Sequence, residues 1–351
     1  MKFYIETADS PKGEITLYKL ENESGASVTL SSLGAGITSI IVPDCDGNLD
    51  DVVLGYKNPA DYLYDGPCAG KVPGRYANRI AAGHLEINGK VYQLAINNGP
   101  NALHGGPEGF QNQIWDPEMQ GNDRVVFSLV SSDGDEHYPG ELQARVAYTW
   151  TEDNVLRIEL SAVSDADTVV NLTNHTYFNL ANESAGSVLD QELKLNASTY
   201  LPTDDTLIPT GEMDAVAGTP MDFTSFKPLG RDIKQNFPAL NYGKGYDNCW
   251  VIDGAADMKL HTAAILRNRV NGRVLEIVTD QPAVQVYTGN WLSGSPMGKS
   301  GRSYEDYDGV AIECQGMPDA PNKPQFPSQL LKVGEEYNRL IFFDFSTMPK
   351  D

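Results

Sequence analysis

The sequence predicts an all-β fold, either a sandwich or a barrel, and three observations support this prediction. Short apolar runs alternate with polar residues, and turn residues separate them at close spacing. The chain contains 33 Gly and 21 Pro, which interrupt most segments that could form helices. No long segment shows the 3.6-residue apolar period of a helix. Short strands at regular spacing are typical of sandwiches and barrels.

Two segments predict β-hairpins. HLEINGKVYQL (84–94) places Asn88-Gly89 between alternating apolar residues, and both residues tolerate the positive φ of a type I′ turn. ILRNRVNGRVLEIVTD (265–280) repeats this pattern around Asn271-Gly272. The sequence also predicts strands at 123–132 and 153–163, and short helical turns at 58–65 and 224–230.

The chain is predicted to form one domain over residues 1–351. A length of 351 residues would also suit two average domains, and hydrophobic residues make up 40% of the chain, which is typical of a globular protein. However, no low-complexity linker divides the chain and no repeat is visible. All-β chains often reach this size as one unit.

Charge and cysteine content exclude several classes of function. The formal net charge is −22, which argues against nucleic acids and anionic membranes as partners. The chain has no run of 18 apolar residues, and its first residues, MKFYIETADSPKG, lack the apolar core of a signal peptide. The four cysteines form no CxxC pair and suit reduced thiols. These features predict a cytoplasmic protein.

The segment NLTNHTYFNL (171–180) places a histidine among small polar residues. Read as a strand, it puts the larger aliphatic side chains on one face and His175 on the other. A strand histidine is more often structural, but the polar character of its face favours a functional role. The side chains predicted to share that face belong to Asn171, Thr173, Tyr177 and Asn179.

Two further segments show the same division into an apolar and a polar face. In DGVAIECQG (308–316), Glu313 shares one side with Ala311 and Gln315. In TDQPAVQVYTGN (279–290), Gln285 shares one side with Tyr287. A glutamate in such a strand could face solvent or a site. Together, the three segments offer polar groups that could hydrogen-bond a polyol.

Two loops and a strand start add candidate binding residues. VPGRYANRIAAG (72–83) carries Arg79, and NNGPNALHGGPEGF (97–110) carries His104 beside glycines that let a ligand approach the backbone. KGYDNCWVID (244–253) carries Asp247, which could also be a capping residue. Neither loop matches a phosphate-binding or dinucleotide motif. No HxxxH, HxH, CxxC or GxSxG spacing appears, so neither a metal site nor a serine hydrolase is expected.

Taken together, these motifs resemble those of the aldose 1-epimerase (galactose mutarotase) family. The resemblance rests on GRYANRI, NNGPNALHGG, NLTNHTYFNL, GYDN, QPAVQVYTGN and AIECQGMPDAPN, in the family's order over roughly residues 30 to 325. It implies a large antiparallel β-sandwich with a sugar site in an open surface cleft. It also implies interconversion of the α- and β-anomers of free hexoses, usually galactose and glucose, without a cofactor.

The resemblance also implies roles for individual residues. The catalytic residues fall on Glu313, as the base at the C1 hydroxyl, and His175, as the acid at the ring oxygen. A nearby carboxylate is expected to keep His175 protonated at neutral pH. Substrate-binding residues fall on Arg79, Asn78, His104, Asp247 and Gln285. Candidate aromatic platforms for the sugar are Tyr177, Phe223, Trp250 and Trp291, although core packing is the more common role for any one of them. One departure is His137, where the family usually has Gly; it could alter the rim of the cleft.

Three alternatives remain open from the sequence. A hexose 6-phosphate 1-epimerase would need additional Lys or Arg around the cleft, and the charge of −22 gives no sign of them. A non-catalytic carbohydrate-binding sandwich would not require Glu313 and His175 together. In a metal hydrolase, Arg79 would repel the cation. The expected partner is a small aldose, with no nucleic acid or membrane, and the protein could be a monomer or a homodimer.

Overall fold

Antiparallel strands form nearly all the regular structure in the computed structural model, which describes residues 1–350. In chain order the strands are β1 (Lys2–Ser10), β2 (Gly13–Glu21), β3 (Ser27–Ser31), β4 (Gly36–Pro43), β5 (Leu49–Asp51), β6 (Arg79–Ile80), β7 (His84–Ile87), β8 (Lys90–Gln93), β9 (Ala102–Leu103), β10 (Asp116–Gln120), β11 (Arg124–Ser131), β12 (Leu142–Trp150), β13 (Val155–Ser164), β14 (Thr168–Val169), β15 (Tyr177–Phe178), β16 (Glu192–Leu195), β17 (Thr199–Leu201), β18 (Asp214–Ala215), β19 (Lys227–Pro228), β20 (Asp247–Val251), β21 (His261–Arg267), β22 (Arg273–Thr279), β23 (Ala283–Tyr287), β24 (Val310–Gln315), β25 (Leu330–Leu331) and β26 (Glu336–Thr347).

Helical structure is limited to short segments. The α-helix is α1 (Pro238–Gly243), and the 3₁₀ turns are Pro59–Leu63, Ala81–Gly83, Phe110–Asn112, Asp135–His137, Ala255–Asp257 and Ala320–Asn322. No helix among residues 1–350 is long and apolar enough to cross a membrane.

Three large sheets build a two-layer sandwich. One layer is a nine-stranded sheet in the order β10-β11-β12-β13-β26-β22-β21-β16-β19. The other layer joins a five-stranded sheet, β1-β2-β3-β4-β5, to a six-stranded sheet, β15-β24-β23-β20-β17-β18. A bridge between Val53 and Phe178 connects these two sheets, and the N–H of Leu54 donates to the carbonyl of Tyr177 at 2.9 Å. The predicted all-β sandwich is confirmed, whereas the one-domain organisation stays a prediction.

The hydrophobic core lies between the two layers because each strand turns alternate side chains inward. In β13, Leu156 and Ile158 are buried, while Arg157 between them is only partly buried on the outer side. The layers meet through aromatic contacts such as Phe178 against Phe343, whose rings lie edge to face with centroids 5.1 Å apart. One continuous cluster of buried side chains reaches from β2 to β26 and so includes strands of all three sheets.

The first predicted hairpin is confirmed in detail, and the second only in part. Strands β7 and β8 flank Asn88 and Gly89, whose φ values of 52° and 77° suit a type I′ turn. Strands β21 and β22 also pair, but their connection runs from residue 268 to 272. There the N–H of Gly272 donates to the carbonyl of Asn268, which closes a wider loop than the predicted turn.

One of the two predicted helical turns is confirmed. The side chain of Asn58 accepts from the N–H of Ala60 and caps the 3₁₀ turn Pro59–Leu63. The prediction at 224–230 is wrong, because Lys227 pairs with β16 and buries its ammonium. That ammonium donates to the carbonyl of Pro220 and to Asp232, so a tertiary contact overrides the local tendency.

The segment NLTNHTYFNL departs from the predicted strand. Only Tyr177 and Phe178 belong to a strand, and all ten residues are buried. Residues 171–176 instead exchange backbone hydrogen bonds with the irregular segment 70–77. For example, the N–H of His175 donates to the carbonyl of Lys71, and the N–H of Gly70 donates to the carbonyl of His175, both at 2.9 Å. The extended sheet partner that the prediction assumed is therefore replaced by a loop.

The contact between the layers can be tested by deleting one ring. Replacing Phe343, which is 1% exposed, by Ala removes its contact with Phe178 and should lower the free energy of unfolding by about 3–5 kcal/mol. Chemical denaturation measures this loss. Tyr64→Ala, at a ring that is 68% exposed, is the control and should change little. Equal effects of the two substitutions would contradict the assigned core.

Candidate active site

An open cleft of about 710 Å³ lies against one face of the six-stranded sheet. Its lining comes from the ends of the strands and from the loops that surround them. Of the seven residues that the sequence predicted for the site, six line this cleft: Asn78, Arg79, His104, His175, Asp247 and Glu313. The seventh, Gln285, is buried beside them and contacts Asp247.

Strand alternation explains why the sheet residues share one face. Glu313 on β24 lies opposite Gln285 on β23, and one step along the sheet Tyr287 lies opposite Asp247 on β20. Residues two apart on a strand point to the same side. The intervening residues, such as Ile312, point into the core between the layers. The polar side predicted for these strands is therefore confirmed as the side that faces the cleft.

On the floor of the cleft, the side chains of His175 and Glu313 lie close together. The distance from His175 Nε2 to Glu313 Oε1 is 3.4 Å, and the two side chains are 6% and 2% exposed. The ring of His175 also contacts the rings of Tyr177 and His104, with centroids 5.1 and 5.3 Å away. Backbone hydrogen bonds to residues 70 and 71 hold the histidine on both sides.

Burial is the main influence on the protonation of this pair. Desolvation lowers the pKa of His175 to about 4. Desolvation raises the pKa of Glu313 well above its ordinary value, and the charge of Asp247 adds to this effect, while Arg79 opposes it. The direction of the His175 shift is opposite to the expectation that a nearby carboxylate keeps it charged, because desolvation outweighs the attraction of Asp247.

His104 is held as a neutral hydrogen-bond donor. The backbone N–H of Asn78 donates to His104 Nδ1 at 3.1 Å, so the ring hydrogen is on Nε2. Burial lowers the pKa of His104 well below 6.5, and His175 and Arg79 lower it further. Both Asn78 and His104 adopt left-handed backbone conformations, with φ of 67° and 53°. Such strained residues are common where side chains are aimed at a ligand.

A chain of polar contacts fixes the binding groups next to this pair. Arg79 donates through Nε to Asn98 Oδ1 at 3.1 Å and lies 3.3 Å from Asp247 Oδ2. Gln285 donates to the other carboxylate oxygen of Asp247 at 2.7 Å. Asp247 therefore lies between a cation and an amide, with its position set from both sides.

Three buried polar atoms of the site have no hydrogen-bond partner in the protein: Glu313 Oε2, Gln285 Oε1 and His175 Nδ1. Buried polar atoms are normally paired, because an unpaired one costs free energy. Glu313 Oε2 and Gln285 Oε1 belong to neighbouring side chains on the same face of the sheet. These two oxygen atoms can accept hydrogen bonds from a ligand with several hydroxyl groups.

The aromatic candidates divide between the cleft and the core. Tyr177 and Trp291 line the cleft, and Trp291 is 62% exposed with the ammonium of Lys244 4.3 Å from its ring centroid. Phe223 and Trp250 are fully buried in the core and cannot contact a ligand in the cleft. Trp291 therefore offers an exposed ring at the rim.

Sequence reasoning missed some residues of the site. Asn98, which orients Arg79, lies inside the motif NNGPNALHGG but carries no charge that would single it out. The sequence does not indicate that Lys71 lies behind His175, because a lysine is normally expected at the surface. His137 was expected near the rim, but it is not one of the described residues that line the cleft.

Lys71 is a buried cation directly behind the catalytic candidates. Its ammonium is 2.5 Å from Asp65 Oδ1 and also donates to the carbonyl of Tyr62 at 2.6 Å. Both side chains of the Lys71–Asp65 pair are almost fully buried. Because the carbonyl of Lys71 accepts from the N–H of His175, this ion pair anchors the backbone that positions the imidazole.

The residues suit acid–base chemistry on a small polar molecule. Within residues 1–350, no group of three or more His, Cys, Asp or Glu side chains is placed to hold a metal ion. The pair of Glu313 and His175 places one carboxyl group and one imidazole, the two group types that most often act as general acids and bases, next to each other in the cleft. An antiparallel sandwich with such a pair in a cleft lined by hydrogen-bonding side chains is typical of an acid–base enzyme that acts on a small polar molecule.

Comparison with known proteins assigns the family. The model of the aldose 1-epimerase family matches residues 16–341. The chain is 44% identical to human galactose mutarotase over 337 residues, which is 96% of both chains. It is 37% identical to the aldose 1-epimerase of Escherichia coli (strain K12), over 96% of this chain and 97% of that one.

The fold comparison agrees with this assignment. The crystal structure of an aldose epimerase homologue from C. elegans superposes with a TM-score of 0.87 at 30% identity, over 99% of this chain and all of that one. The chain belongs to the aldose 1-epimerase family. Its activity is that of an isomerase which interconverts the anomers of aldoses.

The anchoring role of Lys71 leads to a stability prediction. Lys71→Met leaves the carboxyl of Asp65 buried without its cation and should cost about 3–5 kcal/mol of unfolding free energy. The double variant Lys71→Met with Asp65→Asn removes both charges and should recover part of this loss. Chemical denaturation of both variants tests the idea. If Lys71→Met were as stable as the parent protein, the ion pair would not anchor this segment.

Proposed function

We propose that this enzyme interconverts the α- and β-anomers of free hexoses, with galactose and glucose as substrates, and that Glu313 and His175 carry the proton transfers. The observation that supports this most directly is the 3.4 Å approach of the two side chains on the floor of the cleft. The names of its relatives, galactose mutarotase and aldose 1-epimerase, agree with this substrate class.

The chemistry requires two groups of opposite protonation at the anomeric centre. One group takes the proton of the C1 hydroxyl while the other gives a proton to the ring oxygen, and the ring opens. Rotation about the C1–C2 bond turns the other face of the aldehyde toward the attacking hydroxyl. On closure the two groups exchange roles. We assign Glu313 as the base at the C1 hydroxyl and His175 as the acid at the ring oxygen.

The proton count of the pair fits this scheme. Burial favours protonated Glu313 beside neutral His175, so the pair holds one proton. Transfer of that proton across the 3.4 Å gap produces carboxylate and imidazolium without any exchange with solvent. Arg79 favours the carboxylate form of Glu313, since its charge lowers that pKa. Sugar hydroxyls that bind beside the pair would replace part of the lost hydration and favour the same form.

The remaining residues are proposed to bind the sugar. Arg79 and Asn78 would donate to ring hydroxyls, and Asp247 and Gln285 would accept from them. Neutral His104, with its hydrogen on Nε2, would donate a hydrogen bond near the ring oxygen. No step requires a cofactor. The exposed ring of Trp291 is the proposed platform for the apolar face of the sugar.

The charge of the cleft favours a free sugar over a sugar phosphate. Of the described residues that line the cleft, Arg79 is the one Lys or Arg, and it is paired with Asp247. Asp205 and Glu313 also line the cleft. A phosphate would meet more acidic than basic side chains. A non-catalytic sugar-binding role would not explain why two groups with displaced pKa values are buried in contact. The cytoplasmic location stays a prediction.

Substitution of the proposed base tests the assignment. Glu313→Gln preserves shape but cannot take a proton, so the rate of mutarotation of α-galactose should fall by about 10²- to 10⁴-fold in polarimetry. His175→Asn should also lose most of its turnover. Glu118→Gln, at an exposed glutamate on β10, is the matched control and should keep full activity. Near-normal turnover of Glu313→Gln in a folded protein would refute its role.

The dependence of kcat/KM on pH tests the proton count. Below a pH of about 4, His175 gains a proton and the pair has no base, so activity should fall. At high pH, Glu313 loses its proton and the pair has none to give. Because its pKa is raised, this alkaline limb should lie well above the range of an ordinary carboxyl group. Polarimetry corrected for the uncatalysed rate gives the profile. An acid limb near the ordinary histidine pKa of about 6.5 would show instead that His175 titrates like an exposed histidine.

A further inference from the structure

The first strand of the chain leaves one edge of the sandwich open. Among residues 1–350, β1 pairs with β2 on one side and with no strand on the other, although the 3₁₀ turn Pro59–Leu63 also lies near β1. Its side chains are unusually apolar for such a position, since Phe3, Tyr4 and Ile5 are 45%, 47% and 49% exposed. Natural edge strands are usually short, bulged or interrupted by Pro. β1 has nine residues, no Pro and an unbroken register with β2.

The hydrogen bonds of β2 show which backbone groups of β1 face outward. The carbonyl of Thr16 accepts from the N–H of Ser32 at 2.9 Å, so the backbone of Thr16 faces β3. The residue after it, Leu17, therefore faces β1, where its partner is Glu6. Backbone groups alternate along an antiparallel strand. The unpaired N–H and C=O groups at the open edge are therefore those of the odd-numbered residues, Phe3, Ile5 and Thr7.

We propose that this edge pairs with the same edge of a second copy of the chain and forms a two-fold symmetric dimer. In the register that we infer, Phe3 lies opposite the partner's Ile5, and Tyr4 lies opposite the partner's Tyr4. Phe3 and the partner's Ile5 then both present outward backbone groups, as a hydrogen-bonded antiparallel pair requires. A two-fold axis makes every such contact occur twice.

Charge complementarity selects this register. It places Lys2 opposite the partner's Glu6, and the symmetry repeats that ion pair at the other end. The ammonium of Lys2 also lies 3.4 Å from Glu21 of its own chain, but the Lys2 side chain is 71% exposed and can contact both carboxylates. Glu6 is exposed and makes no ion pair within residues 1–350, so its carboxylate is available. If the register shifts by two residues in one direction, Lys2 lies opposite the partner's Ala8. If it shifts by four residues in that direction, Glu6 lies opposite the partner's Glu6. A shift of two in the other direction places Lys2 opposite the partner's Tyr4. Only the proposed register forms the two ion pairs.

Apolar contacts would add to the strand pairing. Phe3 and Ile5 lie on one face of β1, and in the dimer they would meet the partner's Ile5 and the partner's Phe3. Tyr4 lies on the opposite face, where it would meet the partner's Tyr4 between the two ion pairs. Aromatic and opposite-charge pairs across strands are among the contacts that stabilise sheets. The result would be a continuous ten-stranded sheet, formed by the five-stranded sheets of both copies.

A charge exchange tests the pairing and its register. Glu6→Lys places a second ammonium group opposite the partner's Lys2 and should raise the dimer dissociation constant about tenfold. The double variant Lys2→Glu with Glu6→Lys exchanges the charges and should restore dimerisation. Glu14→Lys changes the net charge equally but lies outside the proposed contact, so it is the matched control. Sedimentation velocity over a range of concentrations measures the parent and all three variants.

The outcomes divide clearly. The proposal is supported if Glu6→Lys weakens dimerisation, Glu14→Lys leaves it unchanged and the double variant restores it. A parent protein that stays monomeric at all concentrations overturns it, as does a double variant no better than Glu6→Lys. The polarimetric rate should be unchanged in every variant, since none of the substituted residues lines the cleft. That rate confirms that each variant is folded.

Amide hydrogen exchange gives an independent reading of the interface. The amides of Phe3 and Ile5 should become protected as the protein concentration rises, because dimerisation gives them partners. The amides of Tyr4 and Glu6 already face β2 and should be protected at every concentration. A dimer whose Phe3 and Ile5 amides stay unprotected would use another surface, which would overturn the proposal.

Discussion

The contact between His175 and Glu313 is the constraint on which the rest of the active site depends. It requires that a carboxyl group on a sheet strand and an imidazole on an irregular segment be buried 3.4 Å apart. The strand supplies Glu313 through simple alternation, since β24 turns every second side chain toward the cleft. The histidine needs more support, because its segment has no sheet partner. Backbone hydrogen bonds to residues 70 and 71, anchored by the buried Lys71–Asp65 pair, provide that support.

Burial gives this contact its chemical character. In water, a carboxyl group would be ionised at neutral pH and would favour a protonated imidazole beside it. In the cleft, desolvation opposes both charges, since it raises the pKa of Glu313 and lowers that of His175. An enzyme that must give and take a proton in one turnover benefits from such a pair, because neither group has to exchange with solvent between ring opening and closure. The charge of Arg79 makes the transfer of that proton to the imidazole easier, because it favours the carboxylate form of Glu313.

Both the sheet and the loops supply residues that we propose bind the sugar. Residues on the sheet, such as Asp247 and Gln285, are rigid because neighbouring strands hold their backbones. The loops supply Asn78 and His104, whose left-handed backbones are held by hydrogen bonds between the two residues. The arrangement of the sheets also shapes the outer edge of the sandwich. A bridge at Phe178 closes one end of the five-stranded sheet against the active-site sheet, which leaves β1 as its open edge.

The sequence by itself determined the fold class, the strands that carry Glu313 and Gln285, and the turn at Asn88-Gly89. These features depend on local patterns, namely alternation and residues that tolerate positive φ. The resemblance to the family added the residues of the site, and the structure brings them into one cleft. Only the tertiary structure decided that residues 171–176 are not a strand, that Lys227 is buried, and that burial lowers the pKa of His175. Each of these depends on neighbours far away in the chain, because hydrogen-bond partners and desolvation are set by packing and not by adjacent residues.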